Sequence, residues 1–194
     1  MKVPRIVKDP NISRRTLLTT GAAAALAAFG ATARAGTGPT SRRKPNILWI
    51  VSEDNNPFIG AYGDRLARTP VLDSLAAAGI RYTNVFCNAP VCAPSRFGII
   101  TGMYPESCAP AQHMRAVGPV PGFLHGFPKY LREAGYYCAN NSKTDYNAAL
   151  DEKAMWDESS NKAHWRDRPE GAPFFAVFNI MTTHESRTFC RVEG

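Results

Sequence analysis

Two almost unbroken apolar runs organise the chain after residue 45. Asn46-Ile47-Leu48-Trp49-Ile50-Val51-Ser52 and Pro173-Phe174-Phe175-Ala176-Val177-Phe178-Asn179-Ile180 show none of the alternation expected of a half-exposed strand. Strands covered on both faces read this way, so the first run predicts a central parallel strand and the second another apolar strand. Between them the period changes. Thr69 stands as an N-cap, Pro70 as the first helical residue, Val71, Leu72, Leu75, Ala76 and Ala78 as an apolar face, and Gly79 as a stop, which predicts a helix over 69–79. Residues 80–86 are β-prone. A short helix is expected after a turn at residue 92, running to about residue 101, with Pro94 resisting helix until it has passed. The helical device recurs at 127–135, where Phe127, Tyr130, Leu131 and Ala134 share a face and Gly135 ends it, and 136–140 reads as a strand. Residues 141–172 are polar and weakly periodic, with one helical candidate at 148–156. Strands alternating with helices imply an α/β fold built on a largely parallel sheet.

In such sheets ligands gather beyond the carboxyl ends of the strands. Three polar clusters fall just after predicted strands: Glu53 with Asp54, then Ser142-Lys143-Thr144-Asp145, then Thr182-Thr183-His184. A parallel sheet brings all three to one edge.

Residues 1–35 read as an address. Ser13-Arg14-Arg15-Thr16-Leu17-Leu18 is a twin-arginine pattern, an Ala-rich apolar run follows, and Ala33-Arg34-Ala35 has the form of a cleavage site. The run is short and diluted for a membrane span, so cleavage is favoured over an uncleaved anchor and no stable membrane span is expected. The expected destination is the periplasm or the exterior of a bacterium. Residues 36–45 form a linker, and 46–194 one α/β region. The formal net charge of +7 is misleading. The leader contributes five positive charges net and Arg42, Arg43 and Lys44 contribute three more, leaving −1 for the rest. That excludes a broad basic face for nucleic acid. Cys87, Cys92, Cys108, Cys138 and Cys190 are an odd set without zinc-like spacing. At least one thiol is left unpaired, and no disulfide is assigned.

The sharpest chemistry lies in Cys92-Ala93-Pro94-Ser95-Arg96, followed by Thr101-Gly102. The segment combines an oxidisable nucleophile, a residue of fixed φ, and a permanent cation that one helical turn returns to the side of Cys92. It resembles the signature of the type I sulfatases, members of the alkaline-phosphatase superfamily. The resemblance covers about residues 44–187 and implies the alkaline-phosphatase/sulfatase-like α/β fold, a mixed, largely parallel sheet flanked by helices. Within the family, residues 173–178 and Thr183 with His184 look most like the heparan N-sulfatase branch.

The resemblance also implies the site. Cys92 corresponds to the residue that a formylglycine-generating enzyme converts to 3-oxoalanine (formylglycine), whose hydrate attacks sulfur. Glu53 and Asp54 stand where the family has an Asp pair binding Ca2+, with Cys92 as a further ligand. Arg96 corresponds to the arginine that pairs with the modified residue, Lys143 to a sulfate-contacting lysine, and His184 to a histidine at the sulfate or leaving oxygen. Lys143 or His184 would assist departure of the alcohol or amine. Asp145 replaces a His found in many members and is a substrate-binding candidate together with His113; His125 and His164 are given no role. The expected substrate is a sulfated carbohydrate or other sulfate ester. The family's second acidic pair and another lysine have no counterpart up to Gly194. The region therefore reads as the N-terminal part of the family domain, incomplete at its C-terminus, with weak metal binding and little turnover alone. The alternatives are a non-catalytic remnant of the same fold and a phosphodiesterase or phosphonate hydrolase of the superfamily. An exposed edge on the last strand, with apolar helix faces, is expected to promote aggregation.

Overall fold

The structure, a computed structural model, describes residues 43–187. The twin-arginine pattern, the cleavage site, most of the linker and Cys190 lie outside the described residues. Four parallel strands form one sheet: β1 (Ile47–Ser52), β2 (Tyr137–Asn141), β3 (Glu158–Ser159) and β4 (Phe174–Ile180). Their spatial order is β1-β4-β2-β3. Helices α1 (Pro70–Ala78), α2 (Cys92–Thr101), α3 (Pro128–Glu133) and α4 (Glu152–Met155) lie in the connections. The parallel α/β architecture expected from the apolar runs is present.

The core follows from the pleat of β4, the central strand. Phe175 and Val177 point to one face, where they join Ile100, Cys138, Tyr146, Met155 and Trp156. Phe174, Ala176 and Phe178 point to the other and meet Ala139, Ala163 and Trp165. Phe175, with no exposed surface, is the hub: Trp49, Phe127 and Trp156 surround its ring at centroid distances of 5.1, 5.2 and 5.8 Å. Burying such a ring is worth about 1.5–3 kcal/mol. Coverage on both faces is why 174–180 reads as continuously apolar.

Four expectations are corrected. Among the described residues β1 is an edge strand, because β4 inserts between it and β2 and no described strand pairs with its other side. Ile47, Trp49 and Val51 pack inward, while Leu48 and Ile50 on the opposite face are exposed, Ile50 at 61%. Among the described residues the long bare edge is therefore on the first strand and not the last, with the two-residue β3 at the opposite edge. Residues 80–86 form no strand, and Ile80, Tyr82, Val85 and Phe86 are exposed. α2 begins at Cys92 itself, so Pro94 lies inside the first turn, where its missing N–H has no helical partner to lose. Gly102, at φ 71°, ends α2 by donating its N–H to the Gly98 carbonyl. In the polar stretch 141–172 only Glu152–Met155 is α-helical, and the two-residue β3 has no apolar signal.

α1 matches its signals, although Thr69 does not cap it. The Thr69 hydroxyl accepts from Gly60 N at 2.8 Å and donates to Asp73 at 3.0 Å, and Asp73 also accepts from Ala61 N at 2.7 Å. Val71 and Leu75 on its apolar face are exposed. With Leu48 and Ile50 they make this chain prone to self-association. Ile50→Lys is expected to reduce the associated fraction in sedimentation velocity while changing stability by less than about 0.5 kcal/mol. Unchanged association would place the sticky surface elsewhere.

Candidate active site

All strands run the same way, so the loops after β1, β4 and β2 leave the sheet on one side. β1 and β4 end in register, Ser52 against Ile180, and Asn141 of β2 pairs with Phe178 two residues earlier. Glu53, His184 and Lys143 therefore emerge together, and α2 brings its first residue, Cys92, over the same edge. The partial positive charge of a helix N-terminus falls on that position.

Glu53 is the electrostatic centre. Its side chain is 6% exposed, with Arg96 Nη1 3.0 Å from Oε1 and Lys143 Nζ 2.7 Å from Oε2. Its backbone is fixed as well: Glu53 N donates to Ile180 O at 3.2 Å, and the Thr183 hydroxyl donates to Glu53 O. Arg96 spans four acceptors. Besides Glu53 it reaches the carbonyls of Thr144, at 2.8 Å, and Lys143, and Asn179 Oδ1 at 3.0 Å. Asn179 is held in turn, donating to Asn140 Oδ1 and Asn141 O, each at 3.2 Å. Desolvation pulls the Lys143 ammonium down, but the hydrogen bond and charge of Glu53, with a smaller effect of the Cys92 sulfur, outweigh it. Its pKa is raised and Lys143 stays protonated.

Asp54 faces the nucleophile candidate. Its Oδ1 lies 4.0 Å from Cys92 Sγ, and its Oδ2 accepts from Glu185 N at 2.9 Å and lies 3.9 Å from His184 Nε2. The His184 Nδ1 is within 2.9 Å of the Ser186 hydroxyl. One ligand atom each from Glu53, Asp54 and Cys92 fall within 4.8 Å of one another. Two cavities meet at Cys92. One, of about 370 Å³, is lined by Glu53, Asp54, Ser95, Arg96 and Met114 among others. The second, of about 400 Å³, is lined by Met114, Arg115, Lys143, Asp145, His184 and neighbours. The thiols differ in setting. Burial pushes Cys138 up to about 12, making it a core residue, whereas Cys92 is half-buried at a cavity junction.

The structure thus brings together Glu53, Asp54, Cys92, Arg96, Lys143, Asp145 and His184. His113 lines neither cavity; its neighbours Met114 and Arg115 do. Sequence reasoning missed Asn179 and Arg115, and placed Thr183 in the right cluster without its bond to Glu53 O. For Asn179 a signal existed, a lone amide near the end of an otherwise apolar strand.

Residues 45–191 match the model of the Sulfatase family. The chain is 46% identical over 158 residues to an ulvan-active sulfatase of Formosa agariphila, covering 75% of this chain and 26% of that protein. Over 91 residues it is 35% identical to the iduronate 2-sulfatase of Homo sapiens, covering 47% and 16%. It therefore spans about a quarter or less of these relatives' length. A protein solved in complex with its substrate D-glucosamine-2-N,6-O-disulfate aligns with a TM-score of 0.61 at 22% identity, over 73% of this chain and 35% of that one. A protein of a Bacteroides thetaiotaomicron locus for glycosaminoglycan metabolism aligns at 0.51 and 18%, over 70% and 44%. Likeness at these identities is one of fold.

Proposed function

Because the chain belongs to the sulfatase family, we propose that it carries the nucleophile end of a sulfuric ester hydrolase acting on sulfated carbohydrate. The observation that carries this reading is the meeting of Cys92, Asp54, Lys143 and His184 around one pair of cavities. The names ulvan-active sulfatase and iduronate 2-sulfatase favour a carbohydrate substrate. The twin-arginine leader favours export, and among the described residues no helix is long and apolar enough to cross a membrane.

Position 92 fits conversion to formylglycine by a generating enzyme: it is half-buried, undisulfided and at the mouth of both cavities. That group, when present, supplies a hydrated aldehyde as an oxygen nucleophile. Glu53, Asp54 and residue 92 fit part of the shell of a hard divalent cation such as Ca2+, which would supply positive charge for sulfate oxygens. Both Glu53 oxygens already serve cations, so Asp54 is the freer ligand and binding by this set is weak. Lys143, held protonated by Glu53, meets developing charge on the sulfate. His184, beside Asp54, is placed to move a proton to the leaving oxygen. Arg96 touches Glu53 and the backbone of residues 143 and 144, and so sets where Lys143 stands.

The test is co-production with a formylglycine-generating enzyme. The peptide containing Cys92 is expected to lose mass by the difference between a thiol and an aldehyde. With so incomplete a ligand set the converted protein, loaded with Ca2+, is expected to turn over slowly, and the turnover it has is expected to favour an aryl sulfate over a phosphate diester. A thiol that stays unmodified removes the nucleophile, preference for the diester moves the activity to the phosphodiesterase class, and turnover of neither favours a non-catalytic remnant.

A further inference from the structure

We propose that Arg115 is the recognition cation for a second anionic group on the sugar, a carboxylate or another sulfate, beside the sulfate presented to position 92. This rests on the reading of the site given above. Arg115 lines the cavity of about 400 Å³ that also holds Cys92, Lys143, Asp145 and His184. The other two cations at the site are committed, Arg96 and Lys143 both to Glu53. The Arg115 guanidinium makes no ion pair or hydrogen bond among the described residues, including none with Asp145 in the same wall. Arg115 is exposed, and Asp145 and Glu185 line the same cavity. An exposed guanidinium with no partner among the described residues, at a concave wall, is free to take an anion, and its fork matches both carboxylate and sulfate geometry.

The backbone gives an independent reason. Among the described residues four non-glycine residues have left-handed φ: Asp54 (49°), Arg115 (55°), Asp145 (48°) and Asn147 (57°). Asp and Asn enter that region readily because their short side chains bond locally; Arg does not. A strained residue of this kind persists only where its surroundings over-determine it. Here they do. The Asn147 amide, 3% exposed, donates to the Ala111 carbonyl at 2.8 Å and to the His113 carbonyl, and Ala149 N donates to Gly118 O at 2.9 Å. The loop is thus tied down on both sides of Arg115. A fixed loop presenting a cation that no described protein group binds suits selection of a substrate better than solvation, for which an unstrained surface loop suffices.

The experiment is titration calorimetry of the full chain with three probes: methyl glucoside 2-sulfate, its 2,6-disulfate, and methyl glucuronoside 2-sulfate. The wild type is expected to bind at least one of the doubly charged probes roughly 10-fold more tightly than the monosulfate, a difference of about 1.4 kcal/mol. The probe favoured identifies the second anion as sulfate or carboxylate. In Arg115→Ala the ratio is expected to fall to about one, and Arg115→Gln serves the same purpose should alanine lower the thermal midpoint. A wild type that binds the monosulfate without discriminating, or an Arg115→Ala ratio equal to the wild type's, overturns the second-anion assignment and leaves the sulfate site standing. Failure of the wild type to bind any of the three overturns both.

Discussion

Glu53→Gln is expected to destabilise the protein by about 3–5 kcal/mol, a fall in thermal midpoint of roughly 6–20 °C. The reason is the imbalance left behind. Arg96 and Lys143, with side chains 13% and 14% exposed, both direct their charge at the Glu53 carboxylate. The neutral amide keeps the shape but leaves two largely desolvated cations facing each other. The pH dependence has a definite sign. The Lys143 pKa is raised above its ordinary value of 10.5 in the folded state. Its stabilising contribution is therefore complete below that value and is lost as the pH rises through the folded one. Urea midpoints across this alkaline range are expected to fall in the wild type and to fall less in Glu53→Gln. A variant as stable as the wild type, with the same alkaline limb, would show that the three side chains do not depend on one another.

The second large effect is on turnover. Arg96→Lys keeps one positive charge but replaces a planar fork with a single nitrogen, and four acceptors compete for it: Glu53, Asn179 and the carbonyls of Lys143 and Thr144. Loss of that geometry is expected to lower kcat/KM for an aryl sulfate by about 10²–10³-fold in converted protein, the range seen when a preorganised donor is removed. The accompanying loss of stability should be about 1–3 kcal/mol, as two carbonyls and an amide lose a buried donor. Full activity in Arg96→Lys would mean that charge alone suffices at this position.

Much of this geometry was legible beforehand, for physical reasons. A strand covered on both faces leaves a continuous apolar run, and Phe174–Ile180 is covered on both faces. Parallel strands share a carboxyl edge, so three polar clusters after three apolar or β-prone segments were enough to place Glu53, Lys143 and His184 side by side. The failures are equally specific. Ile47–Ser52 has the same apolar character as the central strand but stands at an edge; composition reports what a face requires, and the topology decides what covers it. Residues 80–86 have strand propensity with no neighbouring strand to pair with, and propensity without partners does not make a ladder. Arg115 could not be read at all, since its role depends on a backbone conformation and on an amide 32 residues later at Asn147.

The place of β4 has a consequence for how the protein comes to exist. The strand that joins β1 to β2 is the last of the four to leave the ribosome. Until residue 180 emerges, the first two long strands have an empty slot between them and nothing to pair across it. The pairing of β1 with the rest of the sheet, the aromatic hub at Phe175 and the meeting of the three loops all wait for β4, and that pairing spans more than 120 residues of chain. A nascent chain halted before Phe174 would hold Cys92, Arg96, Arg115 and Lys143 but not His184, and would lack the strand that brings their elements to one edge.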